Sequence, residues 1–348
     1  MRDAPNVDPA DIARTLRDGY GIATRAIRHL PLGLDTDAAV YRAETTGGDA
    51  LFVKVRTGHR NDAGLALVRA LVEHGVSDIL APIPARSGEL TTLLSGDPGR
   101  SMTLFPFIEG DSAMERGMTP EQWRRFGTAL RAVHDFPCPT EIRTRIPAST
   151  FALPSAVLVR EISGLIGSTS FSSHAAARFA AFWREHQTKI DDILTRALHL
   201  GHILSARRFA HVPCHADIHS ANILVGDDGR IWLVDWDAPL LAPRERDLIF
   251  VIGSRIARTV TPDEEVAFFE GYGPTEIDAE ALIYYRYERI IEDIGEFGKS
   301  ILTDAHASEE SRAYEARLAM SLFEPGADID RAETVVPASQ DVRIRPTA

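Results

Sequence analysis

Two short apolar runs, Ile223 to Val225 and Ile231 to Val234, are joined by Asp227-Asp228-Gly229. Runs of this length around a glycine-containing turn form a β-hairpin. Polar residues bracket it in a fixed order. His215-Ala216-Asp217-Ile218-His219-Ser220-Ala221-Asn222 precedes the first strand, and Asp235-Trp236-Asp237 follows the second. Leu224, Val225, Leu233 and Val234 hold these ends rigidly, so one carboxylate, one amide and a second carboxylate are fixed by a single small element. A surface loop making turns accounts for each residue singly, but not for the ordered set.

The spacing H-x-D-x-x-x-x-N, followed by a strand ending in Asp, is how kinase-fold enzymes arrange phosphoryl transfer. Asp217 stands where a carboxylate accepts the proton of an attacking hydroxyl. Asn222 and Asp235 offer oxygen ligands of the kind Mg²⁺ takes. Zinc binding by His215 and His219 is disfavoured, because H-x-x-x-H needs a helix and a third ligand, and this segment reads as loop.

The rest of the chain divides by character. Ala23 to Leu30, Val40 to Glu44, Leu51 to Val55, Leu90 to Leu94 and Ser101 to Phe107 read as strands, the last two separated by a turn at Gly96-Asp97-Pro98-Gly99. One helix, Asp62 to His74, interrupts them. Beyond Glu109-Gly110-Asp111 helices dominate: one opened by Thr119-Pro120-Glu121, then Ala156 to Ile166, Ser173 to Leu204, Asp263 to Gly271 and Ala279 to Leu302. The expectation is an α+β, two-lobed protein-kinase-like fold with a small β-rich N-lobe and a larger helical C-lobe. Residues 1–107 would bind nucleotide, 108–111 would connect, and 112–348 would carry catalysis and the acceptor, with ATP in the cleft between the lobes. The stretch 325–348 has little pattern and reads as a disordered tail.

Composition narrows the function. The 348 residues, 44% hydrophobic and 25% charged, suit a soluble globular enzyme. Acids outnumber bases by 50 to 38, giving a net charge of −12. Such a surface disfavours nucleic acid and anionic membrane, and it serves either solubility or attraction of a cationic small substrate. Cys138 and Cys214 lack CxxC partners, which argues against a disulfide framework or thiolate metal site. No apolar run approaches the roughly 20 residues of a membrane span, and Met1 to Asp11 lacks a basic region followed by an apolar one. A cytoplasmic monomer or weak dimer is expected.

The run from Cys214 to Val225 resembles the catalytic loop of aminoglycoside phosphotransferases. Asp235-Trp236-Asp237, with Leu241-Ala242-Pro243-Arg244-Glu245-Arg246-Asp247-Leu248, is similar to the spectinomycin phosphotransferase branch. Gly19-Tyr20-Gly21-Ile22, Leu104 to Gly110 and Tyr284-Tyr285-Arg286-Tyr287-Glu288-Arg289 fit it as well, so the resemblance spans about Asp11 to Leu302. It implies that Asp217 is the base, that Asn222 and Asp235 hold Mg²⁺, and that Lys54 holds the α and β phosphates of ATP. Asp62 is the implied acidic partner of Lys54, replacing the usual glutamate. Gly33-Leu34-Asp35-Thr36-Asp37 takes the place of the nucleotide-covering loop. Adenine would meet the Pro106 carbonyl and the Ile108 N–H, with Phe105 and Phe107 as apolar walls. Asp247 resembles an aspartate that braces the catalytic loop, and His215 an anchor for it.

For the acceptor, Glu288, Glu292 and Glu296 recur every four residues and share one helix face, with Asp293 beside them. They form either a solvated face with intrahelical ion pairs or the floor of a pocket for protonated amines. Asp237, His219 and Tyr284 complete the candidate acceptor contacts. The expected activity is transfer of the γ-phosphoryl of ATP to a hydroxyl of an aminocyclitol or aminoglycoside antibiotic, giving resistance. The alternatives are a metabolic kinase for homoserine, choline or a sugar, and a non-catalytic ATP-binding protein. A protein kinase is disfavoured by the absence of D-F-G and A-P-E.

Overall fold

Along Leu51-Phe52-Val53-Lys54-Val55-Arg56 burial alternates: Leu51, Val53 and Val55 are buried, while Phe52, Lys54 and Arg56 are half-buried. This period of two is that of a strand with one face on a core. The structure, a computed structural model, describes residues 7–32, 38–57, 62–305 and 307–345. The proposed nucleotide-covering loop, 33–37, lies outside the described residues.

Five strands, β1 (Thr24–Leu30), β2 (Ala38–Thr45), β3 (Ala50–Thr57), β4 (Thr91–Leu94) and β5 (Asp97–Pro106), form an antiparallel sheet in the order β1-β2-β3-β5-β4. Its inner face joins Tyr41, Val53, Val55, Met102 and Leu104 to Ile12 and Leu16 of the first helical segment. The β4–β5 turn is tighter than the sequence suggested. Gly96, at φ +85°, reverses the chain so that Leu94 already pairs with Asp97. Pro98 is tolerated within β5 because pairing with β3 begins only at Arg100.

The chain forms two compact units. The first comprises Met1–Pro147 and His215–Leu240, the second Ala148–Cys214 and Leu241–Ala348. In the first unit, the helix Pro120–His134 starts with the expected cap. Thr119 Oγ1 accepts from the Gln122 N–H at 3.3 Å, and Gln122 Oε1 accepts from the Thr119 N–H at 2.8 Å. The helix buries Trp123, Phe126, Leu130 and Val133. The predicted hairpin is present as Ile223–Gly226 and Ile231–Leu233, with Gly110–Ser112 as a third strand.

The second unit is mostly helical. Helices Ser155–Ser168, His174–Ser205, Ala279–Thr303 and Glu309–Ser321 enclose a core that includes Val159, Ile162, Phe179, Trp183, Ile291 and Ile294. The segment expected to lack order contains the helix Asp328–Arg331 and a strand, Val342–Arg345, paired in parallel with Thr275–Asp278. Its order comes from distant partners. The Arg286 guanidinium donates to the carbonyls of Arg331, Ala332 and Thr334 at 3.4, 3.3 and 2.8 Å. Local periodicity cannot reveal such an anchor. Among the described residues, no helix is long and apolar enough to cross a membrane.

Candidate active site

Strand alternation turns Lys54 away from the core, and its ammonium meets the turn that follows the hairpin. Lys54 Nζ lies 2.7 Å from Asp235 Oδ1 and 2.6 Å from Asp237 Oδ2. Arg56, two residues along the same face, reaches Asp237 Oδ2 at 2.7 Å. Burial alone would pull the Lys54 ammonium down, but the two carboxylates outweigh it and hold it above its ordinary value. Asp235 keeps 46% of its side-chain surface open. Protein nevertheless crowds its carboxylate enough that desolvation, acting upward, is its largest single influence; the charge and hydrogen bond of Lys54 reverse it and bring Asp235 below the usual range. Desolvation and repulsion from Asp235 lift Asp237 despite Lys54 and Arg56. Asp235 is therefore the firmer anion of the pair.

The loop before the hairpin is held by its own polar side chains. Ala216 and Asp235 have φ of +69° and +65°, a conformation that costs non-glycine residues about 1–3 kcal/mol and persists only under outside constraint. His215 supplies one constraint. Its Nδ1 accepts from the Asp217 N–H at 3.3 Å, so Nε2 carries the proton and donates to the Val234 carbonyl at 2.8 Å. The ring also packs 4.5 Å from that of Trp236. The loop and the end of the hairpin are thus tied together.

Asn222 donates through Nδ2 to the Asp217 carbonyl at 2.8 Å and to Asp217 Oδ2 at 3.3 Å. Its amide oxygen is consequently the atom with which it can ligate a cation. His219 caps the short 3₁₀ turn Ser220–Asn222, accepting from the Ala221 N–H at 3.3 Å through Nδ1. That leaves the proton on Nε2, which stands 3.5 Å from Asp217 Oδ2.

At the connector, Phe105 pairs across the sheet with Phe52, ring centroids 6.4 Å apart, on the face that carries Lys54. The Phe107 N–H donates to the Ala50 carbonyl at 3.2 Å. Arg42 of β2 crosses this segment, with its guanidinium 4.3 Å above the Phe107 ring and Nη2 2.5 Å from Glu109 Oε1. Pro106 is exposed and Ile108 half-buried.

The model of the family described as "Phosphotransferase enzyme family" matches residues 28–283, most of the chain. The chain belongs to this family. It is an enzyme that transfers phosphoryl groups to hydroxyl acceptors. Among solved structures it is similar to spectinomycin phosphotransferase, APH(9)-Ia, in complex with ADP and spectinomycin. The two share 27% identity and a TM-score of 0.84, over 95% of this chain and 99% of that one. An amicoumacin kinase, hAmiN, in complex with AMP-PNP, Ca²⁺ and Ami, is 14% identical with a TM-score of 0.60, over 96% of each chain. A choline/ethanolamine kinase family protein from Mesorhizobium loti is 17% identical with a TM-score of 0.52, over 93% of this chain and 99% of that one. The last two share the fold alone. Comparison with curated proteins returned no match.

Not every candidate residue of this phosphotransferase joins the cluster. Asp62 stands at the start of the helix Asp62–Glu73, but its carboxylate accepts from the Thr91 hydroxyl at 3.2 Å while Lys54 pairs with Asp235 and Asp237. The acceptor candidates on the helix Ala279–Thr303 belong to the second unit. Tyr284 is fully buried, with its hydroxyl donating to the Ala152 carbonyl at 2.9 Å and to Glu288 Oε1 at 3.1 Å. It fills the core. Glu288 Oε2 lies 3.4 Å from Arg246 Nε, Asp293 pairs with Arg289 at 3.0 Å, and Glu296 with Lys299 at 3.8 Å. Glu292 is half-buried on the same helix. Intrahelical pairs therefore account for part of this acidic face. Sequence reasoning passed over Arg56 and Arg42. Arg56 was recoverable from its i+2 spacing to Lys54; Arg42 needed the pairing of β2 with β3.

Proposed function

We propose that this phosphotransferase moves the γ-phosphoryl group of ATP to a hydroxyl of an aminocyclitol or aminoglycoside, with spectinomycin the leading acceptor, and thereby gives antibiotic resistance. The observation that carries the reading is the convergence of the Lys54 ammonium on Asp235 and Asp237, beside a loop in which Asn222 is bonded to Asp217. The acceptor class draws support from the 27% identity, over nearly the full length of both chains, to a spectinomycin phosphotransferase that binds ADP and spectinomycin.

The residues divide the chemistry between them. Lys54, kept charged by its two carboxylates, grips the nucleotide phosphates. The Pro106 carbonyl and the Ile108 N–H bond the adenine edge, and Phe105 walls it. Asp217 takes the proton as the acceptor oxygen bonds to the γ-phosphorus and the bond to the ADP oxygen breaks. The Asp235 carboxylate and the Asn222 amide oxygen are the hard donors that Mg²⁺ takes, and Asp235 is held in its anionic form. The ion, when bound, neutralises phosphate charge. The net charge of −12 favours a cationic acceptor. A cytoplasmic enzyme acting as a monomer or weak dimer accompanies this reading.

The test is incubation of the protein and Mg-ATP with a panel of aminocyclitols, aminoglycosides and small alcohols. ADP release with spectinomycin, together with a phosphorylated product by mass spectrometry, is expected. Turnover with choline, homoserine or a sugar, and with none of the antibiotics, rejects the resistance reading.

A further inference from the structure

Gly64 is the third residue of the helix Asp62–Glu73, a position where glycine is among the poorest helix formers. A Cβ built on it would lie 1.9 Å from the Trp236 carbonyl oxygen and 3.3 Å from Pro239 Cδ. The nearer obstacle is main chain, which has no rotamer to move aside. Trp236 stands between Asp235 and Asp237, and its turn has little freedom to yield. Asp235 is already at φ +65°, and the buried Trp236 indole donates to the Leu233 carbonyl at 3.3 Å while packing on His215. Asp62 and Lys54 bond to other partners. The close approach of helix and turn therefore runs through backbone.

We propose that Gly64 is a positioning residue: its missing side chain lets the first turn of this helix seat on the Trp236 carbonyl, and that contact sets the Asp235 and Asp237 carboxylates for a divalent cation and nucleotide. The inference rests on the phosphotransfer reading of Asp235 and extends it to a residue that touches neither ligand. Gly167, in the helix Ser155–Ser168, provides the contrast, because a Cβ there meets nothing within 4 Å. The same substitution at the two sites separates helix propensity from the contact.

The experiment is equilibrium binding of ADP by calorimetry, with Mg²⁺ and with EDTA, to the full-length wild type, Gly64→Ala and Gly167→Ala. Gly64→Ala is expected to lose about tenfold or more of the Mg²⁺-dependent affinity while its affinity in EDTA and its circular dichroism stay close to wild type. Gly167→Ala is expected to match wild type throughout. Unchanged Mg²⁺-dependent affinity in a folded Gly64→Ala overturns the proposal. Hydrogen exchange on protein that keeps Gly64 covers the case in which Gly64→Ala does not fold. Mg-ADP should slow exchange in 62–73, and Asp235→Asn should remove that slowing while ADP remains bound; a helix indifferent to Mg-ADP sinks the idea. A wild type that binds ADP with no Mg²⁺ dependence instead removes the phosphotransfer reading, and this inference with it.

Discussion

Lys54 and Asp235 stand 181 positions apart in the chain, and their side chains meet at 2.7 Å. The contact joins the middle strand of the five-stranded sheet to the turn after the hairpin, so the cation proposed to grip nucleotide and the anion proposed to ligate the metal are preassembled on one another. Each keeps the other charged: Lys54 is held above, and Asp235 below, its ordinary value. Phosphates and a divalent cation arriving together would substitute for this pairing, the phosphates taking the ammonium and the cation the carboxylate.

Replacing Lys54 with Met should therefore damage nucleotide use above all. Loss of one positioned charge or donor at a reacting phosphoryl group costs about 10²–10³ in rate, and kcat/KM for ATP is expected to fall by that much, read from initial rates over a range of ATP. Among the described residues Asp62→Ala removes the bond from Thr91, and its KM for ATP is expected to stay within about twofold of wild type. An Asp62 variant as impaired as Lys54→Met would restore the ion pair inferred from sequence.

Asp217→Asn keeps the size of the proposed base and abolishes its proton affinity. General base catalysis contributes about 10²–10⁴, so kcat should fall in that range while ADP still binds. His219→Phe removes the Nε2 proton 3.5 Å from Asp217 and the cap on the 3₁₀ turn, and kcat is expected to drop with the KM for the acceptor little changed. A rise in acceptor KM with kcat intact would make His219 a substrate contact instead.

Parts of this arrangement were legible in the sequence for a physical reason. Strand alternation dictates which face Lys54 occupies, and the ordered polar residues around Ile223–Val234 can converge only if that hairpin forms. The partner of Lys54 was not legible. A helix start such as Asp62 advertises itself through spacing, whereas the reach of Asp235 and Asp237 depends on how the hairpin packs. Tyr284 is turned inward for a related reason: period 3.6 identifies a face, but aromatic residues there are drawn to the core, where Phe151 and Tyr285 surround this one. The strand Val342–Arg345 pairs with Thr275–Asp278, far away in sequence, so its order left no local trace.

The carboxyl of Glu288 makes a pH-dependent prediction. Burial, the largest influence, lifts it above its ordinary 4.5, and Glu292 adds to the effect against the opposing pull of Arg246 and the Tyr284 hydroxyl. The native protein thus holds this proton after the unfolded chain has released it. The stabilisation is complete below 4.5 and is lost as pH rises through the higher native value. Glu288→Gln has no such titration. The melting temperature of wild type should accordingly fall relative to the variant as pH rises above 4.5, whatever constant offset the loss of the Arg246 contact adds. A difference independent of pH would mean that Glu288 titrates alike in both states.

Arg42 tests whether the connector is held or merely adjacent. Its guanidinium covers the Phe107 ring at 4.3 Å and pairs with Glu109 at 2.5 Å, reaching from β2 to the segment whose Pro106 carbonyl and Ile108 N–H are assigned to adenine. Glu109 keeps 59% of its side chain exposed, so solvent screens the ion pair and its worth sits at the low end of about 0.2–1 kcal/mol. The cation–π contact adds about 0.5–1 kcal/mol. Together they amount to about 1 kcal/mol, or about fivefold in binding. Arg42→Ala should raise the KM for ATP by about that factor and leave kcat unchanged, because no group on the reacting atoms is touched. Pairing it with Glu109→Ala should give less than the sum of the two single effects, since both remove the same contact. An unaltered KM would show that the connector keeps its shape through the backbone bond from Phe107 to Ala50 alone.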